Sequence, residues 1–335
     1  MSPKRMNDFH QSLLEWYYKF GRLDLPWRNL PTQSSTPHPS LTHINRAYGV
    51  YISEIMLQQT QVSVVMERFY FPFLSLFPTL TSLANAKEEE VLKAWQGLGY
   101  YSRARNLQKS AKTCLEHFGG ILPRSVNELK TLSGIGDYTA GAIACFGYGE
   151  AVSFVDGNIA RILSRLFATP SPTPHFLKAK AQELLNLQNP FDHNQALLDI
   201  GATICTPKSP SCLFCPLQDF CLGKDKPTLY PTPKKSSLTP LKLYLGFVKV
   251  GDKISLLKST QKLYHGLYNP IVLEEVSEEA ELLGKFSHHY TRYKIEAFVY
   301  LCPTIPTEEK LEFFTLQEIE SLPLSNLCKK ALRWI

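Results

Sequence analysis

Four cysteines fall within seventeen residues, as Cys205-x6-Cys212-x2-Cys215-x5-Cys221, with Pro207, Pro210 and Pro216 among them. Four thiolates this close can wrap one metal centre, and the prolines turn the segment into a loop. Zinc is one occupant for four cysteines. The uneven 6-2-5 spacing differs from the paired C-x2-C arms of zinc ribbons, and a four-iron, four-sulfur cluster also takes four cysteines. Cys114, Cys145, Cys302 and Cys328 are scattered through apolar stretches, where free cysteine behaves as a small hydrophobe. The residues after Met1 contain no apolar h-region, so no secretory signal is expected and a cytoplasmic location follows. In that compartment a tight cysteine cluster reads as metal-binding rather than disulfide-bonded.

The 335 residues suggest two domains at roughly 100–200 residues each. With 44% hydrophobic and 20% charged residues, the chain is globular rather than disordered. No apolar run approaches the roughly 18 residues of a membrane helix; Phe69–Phe77 is short and holds Pro72. The net charge of +6 leans toward nucleic acid. It divides as +3 up to residue 222 and +3 beyond, so charge does not say which part meets an anion.

Apolar residues recur at helical spacing through residues 8–223: over His10–Phe20, over Tyr51–Tyr70, over Glu88–Gln96, and over Asp137–Gly147 and Asn158–Phe167. Ser125-Val-Asn-Glu128 predicts a capping box. Three prolines mark Asn29–His43 as a loop. Lys224–Pro240, with four prolines and four lysines, reads as an extended linker. Beyond it Leu241–Val250, Lys253–Leu257, Lys294–Leu301 and Phe313–Phe314 predict strands, and Leu316–Ser321 and Leu324–Trp334 helices. The expected organisation is a mainly α domain over 8–223, a linker over 224–240, and a smaller α+β domain over 241–335.

Leu132-Ser-Gly-Ile-Gly-Asp-Tyr-Thr-Ala140 joins two expected helices. Gly134 and Gly136 let the backbone turn tightly and aim N–H groups outward, which suits a phosphate; a ligand-free helix–helix turn is the plainer reading. Glu54 lies in Ser53-Glu-Ile-Met-Leu-Gln-Gln-Thr-Gln-Val62, and Asp156 precedes a helix within Ser153-Phe-Val-Asp-Gly-Asn-Ile159. Separately they read as a solvated helix residue and a helix N-cap. Breaking a glycosidic bond characteristically needs two such groups, one carboxyl protonated and the other ionised before an oxocarbenium-like centre. Apolar burial keeps the first protonated and hydrogen-bond donors keep the second ionised.

The hairpin, an Asp twenty residues after Gly136, and the 6-2-5 cysteine loop occur in one order. They resemble the helix-hairpin-helix DNA glycosylases with an iron–sulfur cluster, the endonuclease III superfamily. Leu25-Pro-Trp-Arg28, Ser53–Val62, Gly97–Leu107, Gly134–Ile143 and Val155-Asp-Gly-Asn158 resemble its adenine DNA glycosylase (MutY) family, closely over residues 8–222 and loosely beyond.

The resemblance implies a two-lobed glycosylase domain whose Cys205, Cys212, Cys215 and Cys221 hold a [4Fe-4S] cluster, and a MutT-like (Nudix-fold) second domain. It implies a monomer that acts on double-stranded DNA at A:8-oxoguanine or A:G mispairs, nucleoid-associated when bound. Glu54 is implied as the acid that protonates a flipped adenine, Asp156 as the stabiliser of the sugar cation, and Asn158 as ordering the site. Trp27, Arg28 and Gln195 are implied to line the adenine pocket. Gln59 and Tyr100 are implied to probe the gap near the lesion, Thr60 to contact 8-oxoguanine, and Gly134 and Gly136 to hold a phosphate. Lyase-type relatives carry lysine where this chain has Tyr138. Tyrosine cannot form a Schiff base, so a monofunctional enzyme is expected. The alternatives are an endonuclease III-like glycosylase/AP lyase for damaged pyrimidines, or a catalytically idle Fe–S DNA-binding module. Phe286-Ser-His-His289 matches a lesion-reading signature, with Ser287 its contact residue; read alone, it is a strand-end turn. Gly266-Leu-Tyr-Asn-Pro-Ile271 departs from the family's tryptophan-containing stretch.

Overall fold

Short polar residues and prolines set where the helices begin. Ser2, Thr173 and Asp156 each cap a helix through a side-chain oxygen, and Pro3, Pro174 and Pro190 stand in first turns, where a missing N–H costs nothing. The structure, a computed structural model, describes residues 1–31, 38–233, 238–261, 264–290, 293–304 and 310–335. The middle of the Asn29–His43 loop and residues 234–237 of the expected linker lie outside the described residues.

The α-helices run as α1 Pro3–Phe20, α2 Arg46–Leu57, α3 Val62–Arg68, α4 Tyr70–Leu76, α5 Leu80–Asn85, α6 Glu88–Ala94, α7 Ser102–His117 and α8 Val126–Leu129. They continue as α9 Asp137–Ala142, which passes into a π-helical turn at Ile143–Gly147, then α10 Gly157–Leu166, α11 Pro174–Leu184 and α12 Pro190–Thr203. The strands are β1 Thr239–Phe247, β2 Lys249–Val250, β3 Lys253–Lys258, β4 Tyr268–Asn269, β5 Ile271–Leu273, β6 Glu281–Tyr290, β7 Tyr293–Leu301 and β8 Glu312–Thr315, followed by α13 Leu316–Ser321 and α14 Asn326–Ala331. A helical part followed by a smaller sheet-containing part is the order the sequence predicts.

Two compact units form. The first takes residues 1–85 and 106–234; its centre is α2, buried at every position from Ala47 to Met56. A helix apolar on all sides must lie inside. Gly147 lets the π turn approach it: a Cβ there would sit 2.8 Å from Ala47 Cα.

The second unit takes residues 86–105 and 235–335. Its main sheet is ordered β5-β1-β7-β6, with β1 and β7 parallel and the other pairs antiparallel. Leu327, Cys328 and Ala331 of α14 join Leu245, Phe247, Ala297 and Val299 in its core. Residues 86–105 are bound in by Tyr101 Oη donating to Leu324 O (2.9 Å), Arg105 to His265 O (2.6 Å), and a Lys258–Glu89 ion pair at 2.6 Å.

Four local expectations change. The Tyr51–Tyr70 stripe is not one helix: the polar run Gln58–Gln61 offers no apolar anchor, and Gln59 turns into the left-handed region (φ 58°). Ser125 stands at the N-cap of α8, but its hydroxyl makes no capping bond. Phe286–His289 lies inside β6, paired with β7, rather than at a strand end. The stretch after Lys224 is not extended; a 3₁₀ turn at Pro227–Leu229 is held by Arg165 Nε, which donates to Pro227 O (2.9 Å) and Tyr230 O (3.0 Å).

That anchoring makes a prediction. A chain ending at Lys224 leaves Arg165 Nε without acceptors, a loss of about 1–3 kcal/mol, whereas one ending at Pro233 keeps them. The shorter chain should melt at lower temperature; equal melting would contradict the anchoring.

Candidate active site

Glu54 is the one carboxyl in the buried stretch of α2 and is 6% exposed. Tyr138, on the first turn of α9, donates its hydroxyl to Glu54 Oε2 at 2.8 Å. Burial pushes the Glu54 carboxyl up to about 7, and the charge of Asp156 adds to the rise. The Tyr138 hydrogen bond and the Arg28 charge pull it back. The Tyr138 hydroxyl is raised well above its ordinary range by burial and by the two carboxylates, so it remains a donor.

Asp156 caps α10. Its Oδ1 accepts from Ile159 N–H (2.7 Å) and its Oδ2 from Asn158 Nδ2 (3.0 Å). Arg161 fixes Asn158 in turn, donating Nη2 to Asn158 Oδ1 (2.9 Å) and to Gly201 O (2.7 Å), and Nε to Cys205 O (2.7 Å). A Cβ at residue 201 would lie 2.5 Å from Asn158 Cβ, so glycine is what admits α12 here.

Arg28 is buried and bidentate to Asp199, Nη1 to Oδ2 and Nη2 to Oδ1, both at 2.8 Å. Arg22 adds its N–H and Nε, also at 2.8 Å. Burial alone would raise Asp199, but the hydrogen bonds and charges of Arg28 and Arg22 outweigh it and hold the carboxyl below its usual range. Most of the Arg28 guanidinium is therefore committed to a carboxylate that sequence reasoning missed. Its signal was one acidic residue inside Ala196-Leu-Leu-Asp-Ile200, four positions after Gln195. Gln195 is buried on α12, and Trp27 packs edge-on to Tyr70.

In the hairpin only Gly134 has a left-handed backbone (φ 75°), and a Cβ there would strike Asn106. Gly136 is extended and its Cβ would meet nothing within 4 Å, so the turn does not need both glycines. Asp137 opens α9 paired to Lys130 and Lys178, 2.5 Å each, which offset an acidic charge beside the expected anion site. Gln59 is exposed and Thr60 half-buried in the turn after α2, where Gln58 Nε2 donates to Thr139 Oγ1 at 3.4 Å. Tyr100 and Ser287 belong to the second unit, both exposed.

Cys205, Cys212, Cys215 and Cys221 line one small cavity with Arg165 and Pro227. Arg165 Nη1 donates to Cys205 Sγ at 3.1 Å. Among the described residues no three His, Cys, Asp or Glu side chains are arranged to hold a single metal ion.

A family model described as "HhH-GPD superfamily base excision DNA repair protein" matches residues 52–187, which include Glu54, Tyr138 and Asp156. The adenine DNA glycosylase of Homo sapiens is 44% identical over 224 residues, 65% of this chain and 40% of that protein. That of Mus musculus is 43% identical over 219 residues, 64% and 41% of the two. That of Buchnera aphidicola subsp. Schizaphis graminum is 36% identical over 262 residues, 76% and 71%. The chain belongs to the adenine DNA glycosylase family. It spans about two fifths of the length of the two mammalian relatives. Among solved structures, a thermostable thymine-DNA glycosylase is similar at TM-score 0.58 and 26% identity, over 67% of this chain and 98% of that one. An endonuclease III–DNA covalent intermediate shares the fold at TM-score 0.53 and 21% identity, over 66% and 97%.

The Tyr138–Glu54 bond predicts a signed pH effect. A step that needs protonated Glu54 should slow as pH rises through about 7. Tyr138→Phe removes a contact that lowers the Glu54 pKa, so this alkaline limb should move to higher pH. A limb that stays put or moves lower would contradict the assignment.

Proposed function

We propose that the protein is a monofunctional DNA glycosylase of base excision repair, hydrolysing the N-glycosidic bond of adenine mispaired with 8-oxoguanine or guanine. The observation that carries this reading is the buried Glu54–Tyr138 pair within the field of Asp156. Glu54 is a carboxyl whose burial favours its protonated form, set beside a second carboxyl that is hydrogen-bonded by Ile159 N–H and Asn158, the two groups that glycoside cleavage uses. Family membership and the adenine DNA glycosylase names of the relatives support adenine as the base.

Adenine must leave the stack to reach a site this deep. Protonated Glu54 gives its proton to adenine N7. The C1′–N9 bond breaks and its electron pair goes to the base. Asp156, oriented by Ile159 N–H and Asn158, faces the cation left on the sugar. Water then adds to C1′ and passes its proton to the Glu54 carboxylate, which restores the acid. Tyr138 occupies the lysine position of the lyases, and its hydroxyl is spent on Glu54, so the sugar is released as an intact abasic site. The pyrimidine lyase alternative lacks its amine, and an idle DNA-binding module would have no use for a buried carboxyl hydrogen-bonded to Tyr138 in the field of Asp156. Gly136, where an added Cβ would meet no protein atom within 4 Å, leaves room for close approach of a DNA phosphate, with Gly134 holding the turn.

The four cysteines suit a [4Fe-4S] cluster. Four sulfurs line one cavity, and their 6-2-5 spacing, unlike the paired C-x2-C arms of zinc ribbons, favours the cluster over zinc. Cys205, Cys212, Cys215 and Cys221 would hold it, and bound there it would crosslink the loop without entering a hydrolysis. The second unit, with its mixed sheet, serves as the MutT-like reader of 8-oxoguanine. Ser287 on β6 contributes there; within the first unit, Thr60 serves as a contact to 8-oxoguanine and Gln59 as a probe of the gap near the lesion. The protein acts as a monomer on double-stranded DNA.

Glu54→Gln should bind an A:8-oxoguanine duplex yet lose adenine release by about 10²–10⁴-fold, the usual range for a general acid. Asp156→Asn should lose it likewise. Single-turnover excision near the native rate by either variant would remove it from its role. Breakage of the product strand only after alkali is expected, and breakage without alkali would restore the lyase reading. Purified protein should hold about four iron and four sulfide per chain; stoichiometric zinc in their place would overturn the cluster.

A further inference from the structure

Tyr100 is a non-glycine residue in the left-handed region (φ 47°), and it is 39% exposed. A tyrosine there carries backbone strain that its surroundings must hold. They do so closely. Trp95 Nε1 and Arg103 Nη2 both donate to Gly99 O at 3.2 Å, and Arg103 Nη2 also reaches Leu98 O at 3.1 Å. The Arg103 guanidinium lies over the rings of Trp95 (5.4 Å) and Tyr100 (5.8 Å). On the next residue, Tyr101 Oη is bound to Leu324 O.

These contacts fix the backbone, and the ring of Tyr100 has a further neighbour. Tyr290, the last residue of β6, lies 6.4 Å away at an interplanar angle of 32°. Tyr264 braces Tyr290 from another direction at 6.2 Å and 58°. All of these residues belong to the second unit, and Tyr290 stands three positions after Ser287 on one strand.

We propose that Tyr290 is a positioning residue for Tyr100. Backed by Tyr264, it holds the exposed Tyr100 ring as a preorganised stacking platform for the nucleobase opposite the excised adenine. This rests on the function proposed above. A flat exposed ring beside a guanidinium is suited to a base face, and a platform fixed in advance costs less ordering on binding. Telling 8-oxoguanine from guanine means comparing their N7 and C8 edges, which needs the base held in one orientation. A loose platform would let both purines settle alike.

The test compares the full chain with Tyr290→Ala, Tyr290→Phe, Tyr100→Ala and the double alanine variant. It uses duplexes carrying 8-oxoguanine or guanine opposite adenine, and reads single-turnover excision and equilibrium binding. Tyr290→Ala should reduce the preference for 8-oxoguanine by about threefold to tenfold, the span that aromatic-pair energies allow. Tyr100→Ala should reduce it similarly, and the double variant no further than the larger single loss. Tyr290→Phe, which keeps the ring face, should retain the native preference. A native preference in Tyr290→Ala, multiplying losses in the double variant, or a Phe variant that behaves as Ala would overturn the proposal. If Tyr290→Ala does not fold, Tyr290→Leu, which fills space without a ring, carries the same expectation. If the native protein releases no adenine, the functional reading fails, while the binding arm still decides whether Tyr290 acts through Tyr100.

Discussion

Removing a carboxyl from water disfavours its charged form, and the site is organised around that effect at Glu54. Helix α2 is buried along the whole stretch from Ala47 to Met56, so a carboxylate within it keeps its proton toward neutrality unless donors oppose. Tyr138 supplies one such donor, and Asp156 pushes the other way. A second buried carboxyl, Asp199, meets the opposite fate, because Arg28 and Arg22 surround it with charge-assisted hydrogen bonds. The two buried acids thus shift in opposite directions because only Asp199 is hydrogen-bonded by guanidinium groups. Removing Arg28 would leave a buried anion short of compensation, which is costlier than losing a surface pair.

The same packing joins the site to the cysteine loop. Helix α10 begins at the Asp156 cap, and its Arg161 and Arg165, one turn apart, both reach that loop. Arg161 donates to Cys205 O, and Arg165 to Cys205 Sγ, Thr206 O and Pro207 O. Arg161 also holds Asn158, which holds Asp156. The loop conformation and the orientation of Asp156 are therefore set by side chains of one helix.

Features fixed by local spacing were legible in the sequence: the cysteine loop, the hairpin turn at Gly134, the Asp156 cap and the switch from helices to strands. Features that depend on distant pairing were not. Asp199 sat in an apolar run with no local hint that Arg22 and Arg28, more than 170 residues earlier, would meet it. Strand β6 was missed because Glu281–Tyr290 alternates poorly, with a register shift between Leu282 and Gly284. Residues 86–105 read as one more helical stretch of the first domain. Their tertiary partners, Leu324, His265, Lys258 and Tyr290, all lie beyond residue 257 and place them in the second unit.

The protonation state of Glu54 can be observed directly. Carbon-13 labelling of glutamate side chains, with the Glu54 resonance assigned by its absence in Glu54→Gln, allows its carboxyl to be titrated in the resting protein. Desolvation within α2 predicts a midpoint near 7. A midpoint at the ordinary glutamate value of about 4.5 would mean that the helix does not hold the proton, and would contradict the account of the site built upon it.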